Sequence, residues 1–135
     1  MKPIIHELFQ KTRLLNKELN QVLKKHDLFA AQWSVLYYVN QRGETTLTQI
    51  WKYLNVEAPT VTRTVKRLEE LGWLSTYTGD DRREKRVRLK ADASERLPEI
   101  LETVNFFERK LMANLTESEQ DLLMDLLNKL DNERS

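Results

Sequence analysis

"TTLTQIWKYLNVEAPTVTRTVKRLEELG", residues Thr45–Gly72, holds a short helix, a tight break and a second helix. Thr46 with Gln49 three residues on is a capping-box pattern, and it predicts a helix over Leu47–Leu54. Asn55 tolerates the left-handed conformation that ends a helix. Pro59 then falls in the first turn of the next helix, where its missing N–H has no partner to lose. Gly72 stops that second helix. Val61, Val65, Leu68 and Leu71 recur at helical spacing and predict its buried stripe. Two helices joined by so short a turn read as a helix-turn-helix.

The chain continues as "WLSTYTGDDRREKRVRLK", Trp73–Lys90. Two strands are expected, flanking a turn at Gly79-Asp80-Asp81, because Val87 and Leu89 alternate with charged neighbours. Arg82, Arg83, Lys85, Arg86 and Arg88 crowd onto this hairpin. A basic hairpin after a helix-turn-helix makes the unit winged. The second helix can enter a major groove while the hairpin reaches the backbone or the adjacent minor groove. With the apolar stripe inward, Thr60, Thr62, Arg63, Thr64, Lys66 and Arg67 face outward. Arginine bonds guanine O6 and N7 together, and threonine offers a hydroxyl and a methyl. Lys66 and Arg67, farther along, suit phosphate, as do Arg82, Lys85 and Arg86. Asp81 has two open readings: it fixes a nearby guanidinium, or it caps the backbone of its own turn.

Outward from this unit, apolar residues at Ile4, Leu8, Leu15, Leu19 and Val22 predict a helix from Ile4 to about His26. Ala30–Gln41 fits another. Asp92 with Glu95 predicts a capped helix to about Asn114, kinked at Pro98, and Thr116 with Glu119 predicts a last helix striped by Leu122, Leu123, Leu126, Leu127 and Leu130. Neither an internal repeat nor a low-complexity linker is visible.

The 135 residues suggest one domain. Residues 60–90 carry nine basic and five acidic side chains, residues 91–135 five and eleven, so the net charge of +1 hides a basic middle and an acidic end. The absence of cysteine rules out disulfides and thiolate chemistry. His6 and His26 lie too far apart to hold a metal together, so no metal and no cofactor is expected. There is no glycine-rich phosphate loop or nucleophile motif, and the chain reads as no enzyme. No apolar run approaches a membrane span, and charge appears too early for a signal peptide, so the expectation is the cytoplasm. RNA is disfavoured because its major groove is too narrow for a helix. The competing function is a winged-helix protein-interaction module that does not bind DNA.

"DDRREKRVRL" resembles the wing signature of MarR-family transcription regulators, D-x-R followed by V-x-L, here Asp81, Arg83, Val87 and Leu89. The preceding helix-turn-helix ends in the similar R-L-E-x-x-G-hydrophobic pattern, Arg67 to Trp73. The resemblance implies a mainly α fold with a small β-hairpin wing. A single domain over 1–135 would hold a winged helix-turn-helix lobe at 30–90 and a helical dimerisation region at 1–26 and 92–131. It implies a homodimer on a palindromic operator of double-stranded DNA, usually as a repressor, and in many relatives release by a small aromatic or lipophilic effector. Carried over by position, Thr60, Thr62 and Arg63 face the major groove, and Arg83 enters the minor groove supported by Asp81. Trp51 stands where a small residue is usual, and Lys90 replaces a threonine, leaving the capping of the next helix to Asp92. Trp33, Tyr37, Tyr38, Trp51, Tyr53 and Trp73 are either core or the wall of an effector pocket.

Overall fold

The computed structural model describes residues 1–131; residues 132–135, the end of the expected domain, lie outside it. The described residues form α1 (Pro3–Leu23), a 3-10 turn (Lys24–His26), α2 (Ala30–Arg42), β1 (Glu44–Thr46), α3 (Leu47–Leu54), α4 (Ala58–Glu70), β2 (Leu74–Thr78), β3 (Lys85–Leu89), α5 (Ala93–Leu111) and α6 (Glu117–Lys129). The mainly helical, winged architecture matches the sequence reading.

The local signals that set α3 and α4 are realised. Thr46 accepts from the Gln49 N–H at 3.1 Å, and the Gln49 side chain accepts from the Thr46 N–H at 3.1 Å. Asn55 is left-handed with φ 56°, and Gly72 has φ 87° just past the end of α4. Pro59 sits in the first turn of α4. Thr116 and Glu119 cap α6 reciprocally.

Three features differ from expectation. A third strand, β1, pairs antiparallel with β3, so the sheet order is β1-β3-β2 and β3 is central. The Asp92 cap does not form: Asp92 has helical backbone angles and makes no side-chain cap. The turn is held instead by Ser94, whose hydroxyl donates to the Ala91 carbonyl at 2.7 Å. α5 closes at Leu111, three residues short of Asn114, and runs on through Pro98.

One core ties the lobe together. Leu36 and Val39 of α2, Ile50 of α3, Val61, Val65 and Leu68 of α4, and Leu74 and Val87 of the sheet are buried in it. Leu97, Ile100 and Val104 of α5 extend it towards Leu23 of α1. Trp33, Tyr38 and Trp73 are core residues, Trp51 is half-buried at its edge, and Tyr37 and Tyr53 are exposed. The aromatic set is thus split rather than shared.

Candidate nucleic-acid interface

The four-residue rhythm that buries Val61, Val65 and Leu68 turns Thr60, Thr62, Arg63, Lys66 and Arg67 to solvent, with Thr64 half-buried between. Their hydrogen bonds decide what each offers. The Thr62 hydroxyl donates to the Ala58 carbonyl at 3.0 Å, so its proton is engaged and it presents lone pairs and a methyl. That leaves it suited to a base amino group or a thymine methyl, not to a phosphate. Thr60 Oγ1 has no such bond among the described residues and remains free to donate. Thr64 donates to the Thr60 carbonyl at 2.9 Å. Arg63 and Lys66 have no intramolecular side-chain partner among the described residues. Arg67 leans towards Glu70 in a 3.2 Å surface pair, which is worth about 0–1 kcal/mol and is readily given up.

Asp81 acts on the wing backbone. Its Oδ1 accepts from the Arg83 N–H at 3.0 Å, and its carbonyl accepts from the Glu84 N–H at 2.9 Å. The turn-capping reading of Asp81 is the one the geometry carries, and Arg83 is held through its main chain while its exposed guanidinium stays unpaired among the described residues. Arg82 and Lys85 are likewise exposed. Arg86 is not free: its guanidinium pairs with Glu84 at 3.2 Å and with Glu44 at 3.6 Å. Of the wing cations expected to meet phosphate, Arg86 alone is engaged by carboxylates among the described residues.

Sequence reasoning missed two residues that position this surface. Glu69, on α4, accepts from the Thr76 hydroxyl at 2.8 Å and from the Thr76 N–H at 3.3 Å, joining the exposed helix to the free edge of β2. Glu44, on β1, reaches the wing only because β1 pairs with β3. Neither has a local sequence signal. Arg88 also stacks over Tyr77, with its Cζ 5.0 Å from the ring centroid.

Trp51 packs at the core edge beside the turn between α3 and α4, with Lys52 Nζ 5.7 Å from its ring centroid. His6 is exposed on α1, whereas His26 Nε2 is hydrogen-bonded to Thr103 Oγ1 at 2.8 Å and links the 3-10 turn after α1 to α5. Among the described residues no cluster of three or more His, Cys, Asp or Glu is arranged to hold a metal, and no helix is long and apolar enough to cross a membrane.

A cleft of ≈ 650 Å³ opens between α1, α2 and α5. Trp33, Tyr37, Leu101 and Phe107 form its apolar walls, and Asn16 and Ser34 supply polar groups.

Comparison with known proteins returns one family. The MarR family model matches residues 28–85. An uncharacterized HTH-type transcriptional regulator of Bacillus subtilis (strain 168), YwoH, is 43% identical over 123 residues, covering 91% of this chain and 90% of that protein. Mutant MarR from E. coli complexed with operator DNA is 26% identical, with TM-score 0.85 over 95% of this chain and 93% of that one. The apo form of wild-type E. coli MarR is also 26% identical, with TM-score 0.77 over 96% of both chains. A MarR family transcriptional regulator from Silicibacter pomeroyi DSS is 26% identical with TM-score 0.84, over 93% of this chain and 85% of that one.

Proposed function

The chain belongs to the MarR family of transcriptional regulators, and on that premise we propose that it binds duplex DNA sequence-specifically, as a homodimeric repressor on a palindromic operator. The observation that carries this is the joining of two exposed elements by Glu69: a helix showing Thr60, Thr62 and Arg63, and a wing whose tip shows Arg83. Thr60, Thr62 and Arg63 face base edges, and Lys66, Arg67, Arg82 and Lys85 face phosphate. Arg83 enters the minor groove from a tip that Asp81 has stiffened. Arg86 would join the phosphate set only by giving up its carboxylates. The MarR relative that is complexed with operator DNA supports DNA over a protein-only winged module.

The winged lobe spans 30–90. Residues 1–26 and 92–131 form the dimerisation region, since α1 and α6 leave large apolar side chains exposed. The α1–α2–α5 cleft, apolar with a few polar groups, suits a small aromatic or lipophilic effector. The protein is a cytoplasmic regulator rather than an enzyme. The test is selection of duplexes from a random-sequence pool. Recovery of an inverted repeat, bound with an affinity that falls steeply as salt rises, is expected. Recovery of no sequence, with no binding even at low salt, overturns the reading.

A further inference from the structure

Arg86 is the most enclosed cation of the wing. Its side chain is 32% exposed, and the guanidinium bridges Glu84, on the loop before β3, and Glu44, on β1. The register explains the reach. Thr46 lies opposite Arg86 and Glu44 lies opposite Arg88, so Glu44 is the diagonal neighbour of Arg86 across the β1–β3 pair. The stem is placed as specifically as the head. A Cβ added to Gly79 would meet Arg86 Cδ at 2.9 Å and Cγ at 3.3 Å. Gly79 is absent from the positive-φ residues, so its backbone does not require glycine. What a side chain there would displace is the arginine stem, which lies across the neck of the hairpin.

We propose that Arg86 is a positioning residue that clamps the wing to the lobe through Glu44 and Glu84, and that it is not a phosphate ligand. The inference rests on the DNA-binding reading above. Glu69 on Thr76 and the buried Leu74 and Val87 anchor the inner half of the hairpin, which leaves the tip beyond Thr78 and Lys85 to pivot about its neck. A bidentate cation with one carboxylate on the loop and one on the far strand removes that freedom and sets where Arg83 points. Arg86 thus aids binding by fixing geometry, and it releases no counterion of its own.

The experiment measures affinity for a duplex recovered by selection, over a range of salt, for wild type, Arg82→Ala, Arg86→Met and Gly79→Ala. Arg86→Met keeps the stem and removes the pairing. Gly79→Ala changes no charge and dislodges the stem. Both should lose roughly threefold to tenfold in affinity, the scale of leaving an interfacial side chain unordered. Both should keep the wild-type slope of log affinity against log salt, and both should lose discrimination between A·T-rich and G·C-rich sequence at the minor-groove position. Arg82→Ala should instead flatten the slope by about 0.9 for each phosphate that is no longer neutralised. Far-UV circular dichroism checks that each variant is folded. A slope flattened in Arg86→Met as in Arg82→Ala, or a Gly79→Ala protein with wild-type affinity and discrimination, overturns the proposal. Absence of duplex binding by the wild type overturns the DNA-binding reading itself.

Discussion

At the scale of single residues, the hydrogen bonds sort side chains that look alike in the sequence. Arg63 and Lys66 are both exposed cations on one helix, and the proposed DNA-binding mode gives them different work. Arg63 lies a turn nearer the N-terminus, where helix residues meet base edges. Arg63→Ala is expected to cost about 1–3 kcal/mol and to relax preference at one base pair per half-site. Lys66→Ala should weaken all sequences evenly and flatten the salt slope. Unchanged preference at every operator position in Arg63→Ala would remove the helix from base reading. Asp81 yields a sharper test, because its carboxylate takes the Arg83 N–H and not the guanidinium. Asparagine offers the same acceptor oxygen without the charge. Asp81→Asn should therefore bind DNA more tightly than wild type, most clearly at low salt. Asp81→Ala loses the acceptor as well, and at physiological ionic strength, where screening cuts the charge effect beyond about 8 Å, it should bind more weakly. In an Arg83→Ala background the penalty of Asp81→Ala should vanish, which a double-mutant cycle measures. Additive substitutions would leave Asp81 without influence on Arg83.

At the scale of elements, legibility followed the range of the forces. α3, its turn and α4 were readable because Thr46, Gln49, Asn55, Pro59 and Gly72 act within a few residues of themselves. Strand β1 was not, because its three residues pair with β3 some forty positions later and carry no alternation of their own. The Arg86–Glu44 pair depends on that pairing and was hidden with it. The Asp92 cap failed for a local reason: the Ser94 hydroxyl bonds the Ala91 carbonyl and Asp92 takes helical angles. Gly72 tests the junction between α4 and the wing. A Cβ there meets nothing within 4 Å, so only the backbone at φ 87° resists substitution. Gly72→Ala should cost about 1–2 kcal/mol for the left-handed conformation, offset in part by lower entropy of the unfolded chain. Its urea midpoint should fall while DNA affinity under native conditions stays near wild type. An unchanged midpoint would mean that the junction relaxes out of the left-handed region.

At the scale of the whole molecule, the proposed homodimer rests on exposed apolar surface. No residue of α6 is buried, and α1 buries only Leu23. Ile4 is 66% exposed, Leu122 56% and Leu126 50%, with Phe9, Leu123, Leu127 and Leu130 exposed alongside. A thirteen-residue helix is marginal in water without tertiary packing, and monomers rarely expose contiguous apolar patches beyond a few hundred Å². Both arguments demand cover, and the stripes suit a second copy, in an obligate interface above roughly 2,000 Å². Sedimentation at micromolar concentration should then give twice the 16.1 kDa chain mass. Thermal stability should rise with protein concentration, because association stabilises the folded state by mass action. Leu122→Glu with Leu126→Glu puts two charges in the centre of that surface, whose desolvation the dimer cannot offset. Leu122 and Leu126 lie outside the single core that runs from Leu23 to Val104, so the double variant should retain helix and sheet signal while losing the dimer. It should also lose most affinity for an inverted repeat, because two linked half-sites bind far more tightly than one, yet keep weak, salt-sensitive binding to a single half-site. A well-folded wild-type monomer at micromolar concentration would sink the assembly, and a double variant that still binds the full repeat tightly would separate DNA binding from it.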